Sequence, residues 1–316
     1  MAATNRNNPK RAKASESTYS VIEFERDFPD DATCLDWLWR RLYSTNGTHA
    51  ECPKCGEVRK FHRVVSRPSY SCDVCGHHIH PTAGTIFHKS PTALHLWFRA
   101  IFLMSSTRCG ISAKHLEREI GVTYKTAWRM FHRIRELLMG DDGGPFDGTV
   151  EIDETYVGGK RRGRSGRPNP TETKKSPVLG MVQRGSDGKP GRVYAVKVPD
   201  VKAVSLLPRV ESRVLPSSMI YTDELHSYKG LGSRGYFHSR INHSQGVYVM
   251  GDVHTNSIEG FWNLVKNGIR GSHHMVSAKY LQSYLDEYCY RYNHRHDATP
   301  MFLGLLHRIE KYPSVA

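Results

Sequence analysis

The chain has 316 residues, of which 38% are hydrophobic, so it is long enough for two or three domains and can bury an ordinary core. Its 45 lysine and arginine residues exceed its 31 acidic residues and give a net charge of +14, which predicts a polyanionic partner, nucleic acid first among them. Residues 1–20 lack the apolar segment of a signal peptide, and no apolar run approaches the roughly 20 residues that cross a bilayer. These features argue against a secreted or membrane protein and predict a cytoplasmic one.

The N-terminal part is predicted to be a tail followed by a small helical segment. Residues 1–18 are polar and basic and have no periodic apolar residues, which is typical of a disordered tail. Within residues 19–50, apolar side chains recur at helical spacing, most clearly from Cys34 to Leu42. This spacing predicts a helical lead-in that packs through one face.

Four of the seven cysteines form two C-x-x-C pairs, Cys52 with Cys55 and Cys72 with Cys75, and a glycine follows each pair. The odd total argues against a complete disulfide framework. The separation of the two pairs is typical of four thiolates around one zinc ion. The sequence therefore predicts a zinc ribbon over residues 51–88, in which Zn²⁺ stabilises a segment too short to bury a core.

Residues 89–139 are predicted to form three helices with the helix-turn-helix pattern. The first covers about 91–105, the second about 112–120, and the third starts at Thr123 after a short turn that contains Gly121. The third helix is basic, which favours DNA binding over an ordinary helical hairpin, although the hairpin stays open. The residues predicted to point outward from it are Tyr124, Lys125, Arg129, Arg133 and Arg135.

A stretch rich in turn residues, 140–148, is predicted to be a linker, and an α/β domain follows over residues 149–299. Strands followed by alternating helices and strands suit a mixed sheet with helices on its faces. The predicted strands are 149–157, 178–183, 192–198 and 218–222, and the predicted helices are 201–213, 255–269 and 277–293. Residues 300–316 are predicted to be a C-terminal helix and tail.

Three acidic residues in this domain have settings that suit metal-dependent cleavage of a phosphodiester, which needs converging carboxylates on rigid elements. Asp153 lies inside a predicted strand, Asp223 follows a buried strand, and Glu259 lies in the first turn of a predicted helix. Each has a structural alternative: an edge-strand charge for Asp153, a turn or cap for Asp223, and a capping box with Asn256 for Glu259. The acids that compete for the same roles are Glu151, Glu154, Glu224 and Asp252.

Basic residues accompany these acids. Lys266 follows Glu259 by seven residues, about two helical turns, so both share a helix face where a phosphate could approach, and Arg270 extends the same stripe. A glycine-rich basic loop could hold a DNA backbone, although a solvated charge run stays open. Its predicted DNA-binding residues are Lys160, Arg161, Arg162 and Arg164.

The chain resembles the bacterial insertion-sequence transposases of the DDE type, in the branch with an N-terminal zinc ribbon. The resemblance spans roughly residues 50–295 and rests on the cysteine pairs, the strand around Asp153, the segment ending at Asp223 and, most specifically, the block 254–271. It implies an RNase H-like fold with Asp153 on the first strand, Asp223 after the fourth, and Glu259 on a later helix. It also implies that the three acids bind Mg²⁺ (or Mn²⁺) and that Lys266 is the basic residue that follows the glutamate.

The resemblance further implies what such a protein does. It would bind the terminal inverted repeats of its own insertion sequence, cleave the element ends to free a 3′-OH, and transfer that end into target DNA. It would act as a homo-oligomer, a dimer or larger, on the nucleoid of a bacterium. The alternatives are a zinc-ribbon and helix-turn-helix DNA-binding regulator without catalysis, and a plain RNase H-like nuclease that cuts without joining.

Overall fold

The computed structural model describes residues 19–107, 109–141, 143–158, 175–185, 191–241 and 254–311. The predicted tail, residues 1–18, lies outside these ranges. The chain divides into two compact units, and the first is built from three separate stretches, Met1–Arg108, Ala113–Leu138 and Asp297–Ala316. The second unit comprises Cys109–Ser112 and Met139–His296.

The first unit begins with two helices and a small antiparallel sheet. The helices are α1 (Val21–Asp27) and α2 (Asp31–Leu42), and the strands, which pair in chain order, are β1 (His49–Glu51), β2 (Val58–Val64), β3 (Ser69–Cys72) and β4 (His78–Ile79). Ser20 and Glu23 form a capping box at the start of α1, which satisfies amides that have no partner within the helix. Trp39 of α2 stacks on Tyr70 of β3 with ring centroids 4.2 Å apart, so the lead-in helix packs against the cysteine-bearing sheet.

Four more helices complete this unit, the last of them from the C-terminal part of the chain. They are α3 (Leu94–Ser106), α4 (Ala113–Ile120), α5 (Tyr124–Leu138) and α9 (Met301–His307). The predicted helix-turn-helix pair is α4 and α5, joined through Gly121, whose φ of +67° lies in the left-handed region that glycine tolerates. The helix predicted within residues 300–316 is α9, and it packs against α3. Its Phe302 lies among aromatic rings of the N-terminal segment, 5.2 Å from Tyr19 and 5.6 Å from Phe24.

The second unit is built on a five-stranded mixed sheet. Its strands are β5 (Thr149–Val157), β6 (Ser176–Gln183), β7 (Arg192–Lys197), β8 (Met219–Thr222) and β9 (Phe237–Arg240), in the spatial order β7-β6-β5-β8-β9. The first three strands pair antiparallel, and β8 and β9 run parallel to β5. This order and these directions are those of an RNase H-like fold, so the predicted fold class is confirmed.

Helices cover the two faces of this sheet and enclose two apolar clusters. Helix α6 (Ala203–Glu211) packs with Ile152 and Ile220 on one face. Helices α7 (Asn256–Gly268) and α8 (Leu281–Asn293) pack with Val157 and Val178 on the other. Side chains of β5 alternate between the two faces of the sheet, so Ile152 lies in the first cluster and Val157 in the second.

Two sequence interpretations are corrected by this fold. Asp153 is not an edge-strand charge, because β5 has a neighbour on each side. Arg135 does not point outward: it is fully buried, and its guanidinium lies 3.4 Å from the ring centroid of Phe131 one turn earlier. Within the described residues, no helix has both the length and the apolar character to span a membrane.

Candidate active site and cysteine cluster

Three carboxylates meet where β8 ends beside β5. Ile152 pairs with Thr222, the last residue of β8, so Asp153 and Asp223 follow at adjacent positions on two parallel strands. Asp153, Glu154 and Asp223 each offer an oxygen, and the three oxygens lie within 4.8 Å of one another. The predicted convergence of Asp153 and Asp223 is therefore present in the structure.

Asp153 is held from the α7 side of the sheet. Nε1 of Trp262 donates a hydrogen bond to its Oδ2 at 3.0 Å. Gly180 pairs with Asp153 on the neighbouring strand β6, and a Cβ added there would lie 2.4 Å from the Trp262 ring, so the indole reaches Asp153 across a glycine. Burial, and next the charge of Asp223, raise the pKa of Asp153 to about 6.

Glu154 joins the site from the opposite side of β5. The hydroxyl of the buried Tyr228 donates to its Oε2 at 2.8 Å. Burial, and next the charge of Asp223, raise the pKa of Glu154 to about 7. Strand alternation places Glu154 on the other face from Asp153, so sequence reasoning left it as a competing acid. The early end of β8 is what lets both carboxylates reach Asp223.

Asp223 and Glu259 have local partners of different kinds. Oδ1 of Asp223 accepts from the amide of Leu225 at 3.0 Å, so it does shape the turn after β8 while the rest of its carboxylate faces the cluster. Glu259 is exposed on α7, and its Oε1 accepts from the Thr255 hydroxyl at 3.2 Å. Its charge contributes to the raised pKa of Asp153, but Glu259 lies outside the group of three converging oxygens.

The structural alternative for Glu259, a capping box with Asn256 as the N-cap, is wrong. Thr255 is the N-cap of α7, and the amides of Ser257 and Ile258 donate to the carboxylate of Glu151. Glu151 lies on β5, more than a hundred residues earlier in the chain. Because Glu151 is so far from α7 along the chain, the sequence around the start of the helix could not have indicated this cap.

A basic pocket of about 270 Å³ lies beside α7 and the end of β5. Lys175, Lys266 and Arg270 line it together with the half-exposed Tyr156. The pocket therefore brings Lys266 and Arg270, the two basic residues predicted to share a helix face, together with Lys175. The loop residues Lys160, Arg161, Arg162 and Arg164, and the competing acid Asp252, lie outside the described residues.

The basic face predicted for the third helix is exposed on α5, apart from Arg135. The exposed residues are Tyr124, Lys125, Arg129 and Arg133. The opposite face buries Ala127, Met130 and Ile134. Because the apolar residues are turned inward, the helix presents a cationic surface to solvent.

The four paired cysteines converge on one point in the first unit. The Sγ atoms of Cys52 and Cys75 are 3.6 Å apart, and those of Cys55 and Cys72 are 4.0 Å apart. Four sulfurs at about 2.3 Å from a zinc ion would be about 3.8 Å from one another, which agrees with this arrangement. Gly56 and Gly76, with φ of +71° and +68°, turn the chain after each pair.

The second unit is therefore an RNase H-like domain with three carboxylates gathered where β8 ends beside β5. The family model described as ISXO2-like transposase domain matches residues 145–293. An uncharacterized protein in transposable element ISH50 of Halobacterium salinarum is 31% identical over 263 residues, 76% of this chain and 83% of that protein. An uncharacterized transposase-like protein of Haemophilus influenzae is 34% identical over 102 residues, 32% of this chain and 81% of that protein. The chain belongs to the insertion-sequence transposases and carries an ISXO2-like transposase domain.

Among solved structures, the pre-cleavage Mos1 transpososome is similar over 68% of this chain and 79% of that chain, with 13% identity and a TM-score of 0.26. The RNase H-like fold of the second unit is defined by its strand order and strand directions.

Proposed function

We propose that this protein is a DDE transposase. It binds the terminal inverted repeats of its insertion sequence, cleaves DNA at the element ends to free a 3′-OH, and transfers that end into target DNA. The observation that carries the proposal is the convergence of Asp153, inside β5, with Asp223, just after the end of the parallel strand β8, in a chain of a transposase family.

The acids fit Mg²⁺ or Mn²⁺ as the catalytic cofactor. Hard carboxylate oxygens are the ligands these ions prefer. Partial burial, and next the nearby charge of Asp223, raise the pKa values of Asp153 and Glu154. Two such ions would activate an attacking oxygen and stabilise a leaving oxygen at phosphorus. Asp153 and Asp223 would hold the shared ion, Glu259 would complete the second site, and Lys266 would pair with a phosphate oxygen.

DNA is the proposed partner of both units. The exposed residues of α5 would contact phosphates and base edges as in other helix-turn-helix proteins. Lys266 and Arg270, with the basic segment that contains Lys160, Arg161, Arg162 and Arg164, would hold the backbone near the acids. We propose that the protein works on the bacterial nucleoid as a homo-oligomer, a dimer or larger, because two element ends must be processed together.

Structural Zn²⁺ is the proposed occupant of the cysteine cluster. Metal analysis of the purified protein should find one zinc per chain. Cys72→Ser should lose the zinc and the DNA binding of the first unit, because the ribbon is too small to stay folded without it. Cys109→Ser changes a cysteine outside the cluster and should keep both; equal zinc contents in the two variants would overturn the zinc assignment.

Cleavage of a plasmid that carries the element ends tests the proposed reaction. Asp153→Asn and Asp223→Asn should abolish Mg²⁺-dependent cleavage and spare binding to the terminal repeats. Asp286→Asn is the matched control, because Asp286 is also a partly buried acid, with a pKa raised to about 6, but lies on α8 outside the cluster. Cleavage retained by either of the first two variants would refute the assignment, and sequencing of joined products separates a transposase from a plain nuclease.

A further inference from the structure

Glu151 is a buried carboxylate that lies close to the acid cluster but outside it. It precedes Asp153 by two residues on β5, and its side chain has no exposed surface. Its Oε1 accepts from Nε of Arg184 at 2.7 Å and lies 3.4 Å from Nδ1 of His254. Since a buried carboxylate needs compensating partners, Arg184 accounts for its charge.

The second oxygen of Glu151 caps the helix that carries Glu259. Oε2 accepts from the amides of Ser257 at 2.8 Å and Ile258 at 3.0 Å. Thr255, the N-cap, makes no side-chain cap hydrogen bond, so the cap comes from the neighbouring strand instead of the local chain. The negative charge also interacts favourably with the positive end of the helix dipole.

A second attachment ties α7 to β5 one helical turn further on. It is the hydrogen bond from Nε1 of Trp262 to Oδ2 of Asp153 at 3.0 Å. Ile258 and Trp262 are four residues apart and therefore lie on the same helix face. Glu259 lies between the two attachments, one residue after Ile258, so its place relative to Asp153 depends on both.

We propose that Glu151 is a positioning residue that holds the first turn of α7 against β5 and thereby places Glu259 for the second metal ion. Glu151 is not itself a ligand, because Arg184 engages one of its oxygens and the helix amides engage the other. The inference rests on the proposed function only in the metal role of Glu259; the attachment of α7 does not depend on it.

The test compares Glu151→Gln with Glu287→Gln in the full-length protein. Glu287, on α8 of the same unit, is a matched control because its side chain is equally buried. Its Oε1 accepts hydrogen bonds from Nη2 of the buried Arg291 at 2.7 Å and from Nε at 3.0 Å. Both changes break a buried ion pair, so both should lower the unfolding temperature. Only Glu151→Gln should speed amide hydrogen exchange in the first turn of α7, by roughly tenfold or more, measured by mass spectrometry without Mg²⁺.

Mn²⁺ binding, followed by electron paramagnetic resonance, gives the second readout. Glu151→Gln should weaken the weaker of two Mn²⁺ sites by roughly tenfold and leave the tighter one unchanged, whereas Glu287→Gln should change neither. Wild-type protein that binds no Mn²⁺ would count against the proposed function, while the exchange result would still decide on Glu151.

Two results would overturn the positioning role. One is unchanged exchange at the start of α7 in Glu151→Gln; the other is equal opening of α7 in Glu287→Gln, which would reveal a general loss of stability. If Glu151→Gln does not fold, Glu151→Asp replaces it. Aspartate keeps the charge for Arg184 but is one methylene too short to reach the helix amides, so the same expectations and the same contrary results apply.

Discussion

Asp153 and Glu154 are neighbours in one strand, so their side chains leave the backbone on opposite faces of the sheet, yet both reach Asp223. The reason is the short partner strand: β8 ends at Thr222, and the space beside Asp153 and Glu154 is left open. Tyr228 then orients Glu154 toward that space. The alternation rule holds for both residues, but it does not decide which acids share a site at the end of a strand.

Glu154→Gln should weaken Mn²⁺ binding by roughly ten- to a hundredfold, because it removes a negative charge from the three acids whose oxygens lie within 4.8 Å of one another. Glu224→Gln is the control, since Glu224 follows Asp223 directly but is exposed and lies outside the group of converging oxygens. Isothermal titration with Mn²⁺ measures both. Equal affinities in the two variants would remove Glu154 from the site.

Stability without Mg²⁺ should fall as the pH rises. The pKa values of Asp153 and Glu154 rise on folding from the ordinary 3.8 and 4.5 to about 6 and about 7. The folded protein therefore holds more protons than the unfolded chain between these values, and stability is lost as the pH increases through them. Calorimetry at about pH 5 and about pH 8 should show this loss in wild type and a smaller one in a variant with Asp153→Asn and Glu154→Gln together.

Added Mg²⁺ supplies the control for that measurement. At the proposed site, Mg²⁺ would bind the ionised carboxylates of the folded state, so it should raise the unfolding temperature at the higher pH and have little effect at the lower one. The same pH dependence in wild type and in the double variant would show that other groups control it.

At the scale of elements, α7 lies close to the sheet because β6 carries a glycine opposite Asp153. Gly180→Ala should destabilise the second unit by roughly 1–3 kcal/mol, since the new methyl group would overlap the Trp262 ring and the Ile258 side chain. Gly260→Ala on the exposed side of α7 meets no atom within 4 Å and should stabilise by up to about 1 kcal/mol through helix propensity. Urea unfolding measures both, and a neutral Gly180→Ala would show that α7 can move away freely.

Elements with strong internal periodicity were predictable from the sequence. The strand predicted from the alternation of Thr149–Val157 has the same bounds as β5, and the basic helix predicted after Gly121 is α5. Strand β9 (Phe237–Arg240) was missed, because its residues are only partly buried or exposed and show no alternation. The cap of α7 by Glu151 and the hydrogen bond from Trp262 to Asp153 could not be predicted from the sequence either, because both join residues more than a hundred positions apart.

At the scale of the whole molecule, the first unit depends on a helix that follows the second unit in the chain. Phe302→Ala in α9 should cost about 3–5 kcal/mol of stability, because the ring is buried among Tyr19, Phe24 and Phe102. Phe237→Ala on β9 removes an exposed ring and should cost little. Calorimetry measures the loss, and the first variant should bind terminal repeats poorly while Mn²⁺ binding by the second unit persists.

A ribosome makes the chain from its N-terminus, at roughly 5–20 residues per second. Between the end of α5 at Leu138 and the start of α9 at Met301 lie 162 residues. Their synthesis takes on the order of ten seconds or more, and the aromatic core of the first unit cannot be completed before then. Every copy interrupted by a stop codon before Met301 would therefore release a chain whose proposed DNA-binding unit lacks part of its core. Such fragments would compete poorly with full-length chains for the element ends. Tight DNA binding would then be found only in chains that also carry the complete acid cluster.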